Sequence, residues 1–215
     1  MVMYVGDLRK NYTRAGLSEA DADPNPFKQF KTWFEQAVSA DLVEPNAMTL
    51  ATTTPDGFPS ARIVLLKGFD ENGFVFYTNY ESAKGKQLQI NPKAALVFWW
   101  GELERQVRIE GRVERVIPLE SDEYFHSRPL GSQLGAIASP QSQVISSREV
   151  LETKLKELET KYTADFEIPR PSNWGGFRVI PVNFEFWQGR PNRLHDRLLY
   201  RLLEDGTWLR ERLAP

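Results

Sequence analysis

The segment Arg193-Leu194-His195-Asp196-Arg197-Leu198 sets three potentially cationic side chains at alternate positions. On a strand, alternate side chains share a face, so Arg193, His195 and Arg197 would stack at intervals of roughly 7 Å with Leu194 and Leu198 turned to a core. Such a column repels itself and suits an anion laid against it; a solvated basic face balanced by Asp196 is the equal alternative from this segment alone. Arg62-Ile63-Val64-Leu65-Leu66-Lys67 brackets four apolar residues with two cations. By parity the cations fall on opposite faces, either as the charged ends of an edge strand or as ends that reach into grooves. Tyr77-Thr78 closes the next strand with hydroxyl donors. In Tyr124-Phe125-His126-Ser127-Arg128-Pro129, followed by Ser132, the proline pushes the Arg128 backbone out of the helical region and so places its side chain at a helix end. A guanidinium among hydroxyls is a phosphate cradle. Gln141-Ser142 follows Pro140 in a loop, and the segments around Trp174 and Trp187 are rich in aromatics. Core packing is the ordinary role of such rings, and walls for a flat heteroaromatic ligand are the other.

These residues need elements to hold them. Apolar positions at helical spacing predict an amphipathic helix over 27–43. Strands follow over 48–54, 62–69 and 74–78, joined by Pro55-Asp56-Gly57 and Glu71-Asn72-Gly73, which reads as an antiparallel meander. Ser82 caps a short helix that ends near Asn91-Pro92. An apolar strand covers 94–100, and alternating apolar and charged residues predict a half-buried strand over 106–116. Pro118 opens a helix, 147–162 is the longest helix, and strands follow over 177–180, 184–188, 193–200 and 207–213. Strand runs closed by turns, with helices inserted, predict an α+β fold: an antiparallel barrel carrying helices. Residues 1–25 are expected to form a mobile lead segment ahead of one domain over 26–215.

Composition narrows the function. The 215 residues carry 27 Lys and Arg against 29 Asp and Glu, a formal charge of −2, which argues against a general nucleic-acid binder. With no cysteine, disulfides, thiolate nucleophiles and cysteine zinc sites are excluded. Two histidines cannot build a multi-histidine metal centre, and His195-Asp196 reads as an ordinary contact, so no metal is expected. The sequence has neither G-x-G-x-x-G after a strand nor a P-loop, and it lacks G-x-S-x-G and H-E-x-x-H. Residues 1–17 lack an apolar core and no run approaches the ~20 residues of a membrane span, so a cytoplasmic protein without membrane contact is expected.

Six stretches in order resemble the pyridoxamine 5′-phosphate oxidase family: 62–68, 76–79, 103–107, 124–129, 174–178 and 186–197, with Arg212-Leu213-Ala214-Pro215 at the end. The resemblance runs from about Leu8 to Pro215. It implies an FMN-binding split barrel of Greek-key type, assembled as a homodimer with FMN at the interface. FMN would contact Arg62, Ile63, Val64, Leu65, Leu66, Lys67, Tyr77, Thr78, Lys84, Gln106, Gln141, Ser142, Trp187 and Arg197. Lys67, Tyr124, Arg128 and Ser132 would meet the substrate phosphate. Arg193 and His195 would line the substrate ring as the catalytic pair, with Arg9 and Tyr12 closing over it as part of a lid. The implied reaction is oxidation of pyridoxamine or pyridoxine 5′-phosphate by dioxygen, in vitamin B6 salvage.

Two positions depart from the family pattern. Ala83 stands where an arginine usually precedes the lysine, a loss of one charge-assisted hydrogen bond worth about 1.5–3 kcal/mol if desolvated. Glu44 stands where close relatives carry Asp, a mild exchange. A flavin or pyridoxal-phosphate carrier without turnover is the competing class; the Arg193, His195, Arg197 set and the 124–128 clamp favour the enzyme.

Overall fold

Asn25 begins the first helix. Its side-chain oxygen accepts hydrogen bonds from the backbone N–H groups of Phe27 (2.8 Å) and Lys28 (3.3 Å), and Pro26 occupies the first turn, where its missing N–H costs nothing. Helix α1 (Pro26–Ser39) turns Phe30, Trp33 and Ala37 inward, one stripe at helical spacing. Burying Phe30 and Trp33 contributes roughly 1.5–3 kcal/mol apiece. In this computed structural model, residues 10–162 and 167–215 are described. They form β1 (Ala47–Thr53), β2 (Pro59–Leu65), β3 (Gly68–Asp70), β4 (Gly73–Asn79), α2 (Ala83–Ile90), β5 (Lys93–Trp100), β6 (Arg105–Arg115), α3 (Pro118–Ser127), α4 (Leu130–Ala138), α5 (Glu149–Lys161), β7 (Trp174–Gln188), β8 (Asp196–Leu202) and β9 (Trp208–Arg212). The strand order is β2-β1-β5-β6-β7-β4-β3, with β8 pairing β7 and β9 pairing β8.

The described residues cluster into two compact units interleaved along the chain. The first draws on the described part of Met1–Thr49, on Ala95–Glu110 and on Pro181–Pro215. Its core is aromatic: Phe30 meets Phe98 edge-on at 5.1 Å, and Trp33 meets Phe186 at 5.4 Å. Strand β8 pairs antiparallel with the second half of β7, Trp187 opposite Arg197 and Gln188 opposite Asp196. The second unit comprises Leu50–Ala94 and Gly111–Ile180. There β4 pairs antiparallel with the first half of β7, Tyr77 opposite Gly176 and Thr78 opposite Gly175. Phe125, Leu134, Leu158, Ile168 and Trp174 form a separate buried cluster under the helices.

The expected three-strand meander is corrected. β2 ends at Leu65 and neighbours β1, while β4 pairs with β3 and β7. Nearly every residue of β4 is buried, so it needs a partner on each edge. The strands expected over 177–180 and 184–188 are one, β7; Pro181 cannot donate to a ladder, and it falls between the last pair with β4 at Val179 and the first with β8 at Asn183. Helix α4, which the sequence reading did not separate, lies over Leu130–Ala138.

Candidate functional site

The end of β4, the start of α2, the α3–α4 junction and the loop after α4 surround a cavity of ≈ 700 Å³ in the second unit. Pro129 ends α3 by forcing Arg128 into extended backbone (φ −78°, ψ 149°), as the sequence predicts. The Arg128 guanidinium then lies over the Trp174 ring, 4.7 Å from its centre. Its Nη1 is buried without a hydrogen-bond partner among the described residues. Burial pulls Arg128 below its ordinary pKa, with Tyr124 opposing weakly. Tyr77 and Tyr124 stack at 3.9 Å, and Trp174 extends the stack at 5.6 Å from Tyr77. The Tyr77 hydroxyl is pushed up to about 12, chiefly by burial and then by Glu120, so it remains a donor.

Lys84 enters the same cavity from α2, whose N-cap is Ser82. Its ammonium donates to the Thr78 hydroxyl at 3.3 Å, and Thr78 in turn donates to Gln141 Oε1 at 2.9 Å. Burial first, then the Arg62 guanidinium, holds Lys84 below its usual value. Among the described residues, Arg62, Lys67, Lys84 and Arg128 make no ion pair with a carboxylate. Positive charge concentrated around buried hydroxyls and an aromatic wall suits an organic phosphate. Another cavity of ≈ 700 Å³, against α4 and α5, presents Glu81, Glu149 and Glu157 with Lys154 already bound to Glu157 at 3.1 Å. Its charge is wrong for phosphate.

In the first unit, Lys10, Tyr12, Trp187, Arg190, Arg193 and His195 line a cavity of ≈ 520 Å³. The expectation that Arg193, His195 and Arg197 share one strand face is corrected, because β8 begins at Asp196. Asn192 (φ 57°) and Arg193 (φ 62°) both occupy left-handed backbone, which breaks the extended run and turns Arg193 out into solvent. His195 lies 4.6 Å from the Trp187 ring, and its Nδ1 accepts the Arg190 backbone N–H at 3.1 Å. Desolvation, then the Arg193 charge, lowers its pKa. Tyr12 packs edge-on against both rings, 5.7 Å from Trp187 and 5.8 Å from His195. Arg197 Nε donates to Glu185 Oε1 at 2.8 Å, and Arg108 Nη1 reaches Glu185 Oε2 at 3.0 Å.

Ile63, Val64, Leu65, Lys67, Tyr77, Thr78, Lys84, Tyr124, Arg128, Ser132 and Gln141 thus converge on one cavity. Leu66 is buried in the core instead. Arg62 is held by Leu50 O, Thr52 Oγ1, Ser60 Oγ and Gln87 Oε1, and it does not line the cavity. Ser142 is exposed in a left-handed turn (φ 70°), and Gln106 is half-buried on β6. Arg9 lies outside the described residues. The sequence reading missed Glu104 and Glu185, buried carboxylates that hold neighbouring segments; an acidic residue in a turn or along a strand carries no distinguishing signal.

The family model described as pyridoxamine 5′-phosphate oxidase matches residues 34–162, and the one described as pyridoxine 5′-phosphate oxidase C-terminal dimerisation region matches residues 174–215. The chain belongs to the pyridoxamine 5′-phosphate oxidase family. It is accordingly an oxidoreductase of that family, with the family's dimerisation region in its C-terminal segment. A pyridoxine/pyridoxamine 5′-phosphate oxidase of Nostoc sp. is 66% identical over 211 residues, covering 98% of each chain. One of Synechocystis sp. is 61% identical over 211 residues, covering 98% of each chain. Among solved structures, PhzG from Burkholderia lata, in complex with tetrahydrophenazine-1-carboxylic acid, has a TM-score of 0.85 at 31% identity, covering 91% of this chain and 95% of that one. A pyridoxamine 5′-phosphate oxidase-related, FMN binding protein from Nostoc punctiforme has a TM-score of 0.71 at 19% identity, covering 90% of this chain and all of that one, and shares the fold. The α+β split-barrel class expected from the sequence is the one shared with these relatives. Among the described residues no helix is long and apolar enough to cross a membrane.

Proposed function

We propose that the protein is a cytoplasmic, homodimeric FMN enzyme that oxidises pyridoxamine 5′-phosphate and pyridoxine 5′-phosphate with dioxygen in vitamin B6 salvage. With the amine, substrate, dioxygen and water give pyridoxal 5′-phosphate, ammonia and hydrogen peroxide. The observation that carries the reading is Arg128: its guanidinium lines a cavity with Lys67 and Lys84, and among the described residues its buried Nη1 has no hydrogen-bond partner and none of the three cations has an ion pair. A buried donor without a partner costs about 1–3 kcal/mol, and a phosphate oxygen supplies that partner. The residues present fit both phosphorylated groups. Lys84, Thr78 and Gln141, with the 63–67 segment, would hold FMN, while Lys67, Tyr124, Arg128 and Ser132 would hold the substrate phosphate.

FMN, when bound, supplies the hydride acceptor and delivers the electrons to dioxygen. The protein's residues position and polarise. Two phosphate grips fix where each ring lies, which removes most of the orientational entropy of the encounter. Arg193 would press a fixed positive charge on the substrate ring and stabilise negative charge developing there. His195, whose Nδ1 accepts the Arg190 amide and whose neutral form therefore carries its proton on Nε2, would donate an Nε2–H hydrogen bond toward the substrate. Trp187 and Arg197 would contact FMN, with Glu185 fixing the Arg197 fork. The 10–12 segment would shield the site.

The visible spectrum of the purified protein, followed by a peroxide assay on adding pyridoxamine 5′-phosphate, tests the proposal. A flavin spectrum with one peroxide per substrate is expected; a bound flavin with no peroxide would identify a carrier.

A further inference from the structure

Glu104 ends a short helical turn after β5, and its backbone sits in the left-handed region (φ 55°). For a residue with a Cβ that conformation costs roughly 1–2 kcal/mol, so surrounding contacts must hold it there. The side chain is buried, at 4% exposure. One carboxylate oxygen, Oε2, accepts the backbone N–H groups of both Thr13 (2.9 Å) and Arg14 (3.0 Å). The Glu104 carbonyl accepts the Gly189 N–H (2.7 Å) and the Gln188 side-chain amide (3.1 Å). A single residue therefore binds the N-terminal segment on one side and the turn after β7 on the other.

Gly189 supplies the room for this arrangement. A Cβ added there would fall 2.7 Å from Tyr12 Cγ and 3.0 Å from Glu104 Cβ, closer than packed carbons approach. Tyr12 passes over Gly189 and reaches Trp187 and His195. Three residues beyond Arg14, Leu17 N–H bonds Asp196 Oδ2 at 3.0 Å, so a second carboxylate pins the same segment.

We propose that Glu104 is a positioning residue: its buried carboxylate holds the 12–14 segment so that Tyr12 closes the wall formed by Trp187 and His195. The inference rests on the substrate reading above for its kinetic consequence, and on geometry alone for the anchor. Two charge-assisted hydrogen bonds to backbone amides are worth enough to keep the segment closed most of the time. Their loss raises the fraction of open chains without touching the residues that grip phosphate.

Two variants test the proposal in the flavin-loaded protein. Glu104→Ala removes the acceptor, and Gly189→Ala crowds Tyr12 most and Glu104 Cβ less while keeping the Glu104 carboxylate as an acceptor. Trypsin cleavage after Arg14 is expected to quicken about tenfold or more in Glu104→Ala. The Michaelis constant for pyridoxamine 5′-phosphate should rise about tenfold in both variants, with turnover at saturation and FMN stoichiometry within about twofold of the parent. Glu104→Gln, which keeps one acceptor oxygen, should recover most of the protease resistance. Unchanged cleavage in Glu104→Ala overturns the anchor. Faster cleavage with an unchanged Michaelis constant overturns its role at the site. A parent protein that does not oxidise the substrate would sink the proposed function, while the protease arm would still decide the anchor.

Discussion

The Arg128 guanidinium lies 4.7 Å from the centre of the Trp174 ring, and among the described residues its Nη1 has no hydrogen-bond partner although it is buried. The indole face accepts the cation but cannot satisfy a directed N–H. Buried donors of this kind are rare in folded chains, and an anionic ligand oxygen would complete this one.

Replacing Arg128 by Met should therefore act on binding and leave stability almost unchanged, since an unsatisfied buried donor leaves with the side chain. The Michaelis constant for pyridoxamine 5′-phosphate is expected to rise at least tenfold, following a loss of about 1.5–3 kcal/mol. Pyridoxamine without its phosphate provides the control: the variant and the parent should handle it equally. Equal losses on both substrates would place Arg128 elsewhere in the reaction.

Arg193 offers a separation of stability from chemistry. Its left-handed backbone (φ 62°) is a conformation glycine adopts freely. Arg193→Gly should keep or slightly raise the melting temperature, by the equivalent of up to about 1 kcal/mol, while lowering turnover far more than FMN content. Arg193→Leu should lose turnover in the same way. Should turnover and FMN content fall together, the orienting role proposed for Arg193 is wrong.

His195 carries a pH dependence with a fixed sign. Desolvation and the neighbouring Arg193 lower its folded pKa below 6.5. Its stability contribution is therefore present above 6.5 and is lost as the pH falls through the lower folded value. Protonation also removes the Nδ1 acceptor used by the Arg190 amide. The rate kcat/KM should fall on the acid side with a midpoint below 6.5, and His195→Asn should abolish that limb. A limb that persists unchanged in the variant belongs to another group.

Ala83 opens α2 from an exposed position beside the buried Lys84. Placing arginine there, Ala83→Arg, should tighten FMN binding, by less than about tenfold because solvent screens an exposed cation. Fluorescence titration of the apoprotein with FMN measures it; a weakened complex would show that the arginine has no room.

The sequence made the cation-rich cavity of the second unit legible because its signals are local. Pro129 dictates the backbone of Arg128, Ser82 caps the helix that carries Lys84, and Tyr77-Thr78 ends an apolar run. The cavity of the first unit depended on conformations that residue types barely announce. Alternation suggested one strand through Arg193, His195 and Arg197, yet two left-handed residues after Pro191 end the extended run before His195. Pro191-Asn192 is a turn signal and marks that break. Helix α4 was obscured by Gly131 and Gly135, poor helix formers held helical by packing of Leu134. Glu104 and Glu185 act through partners far away in sequence, which spacing along one chain cannot reveal.

We propose that the cations around Arg128 and Lys84, without ion pairs among the described residues, hold a phosphorylated substrate against a bound flavin so that its hydride is taken. Mixing the purified protein with pyridoxamine 5′-phosphate under strict exclusion of oxygen tests it in one trace. Bleaching of the visible flavin band, with its return and the appearance of peroxide on admitting air, is the predicted result. A band that stays unbleached in a fully flavin-loaded protein would contradict the account.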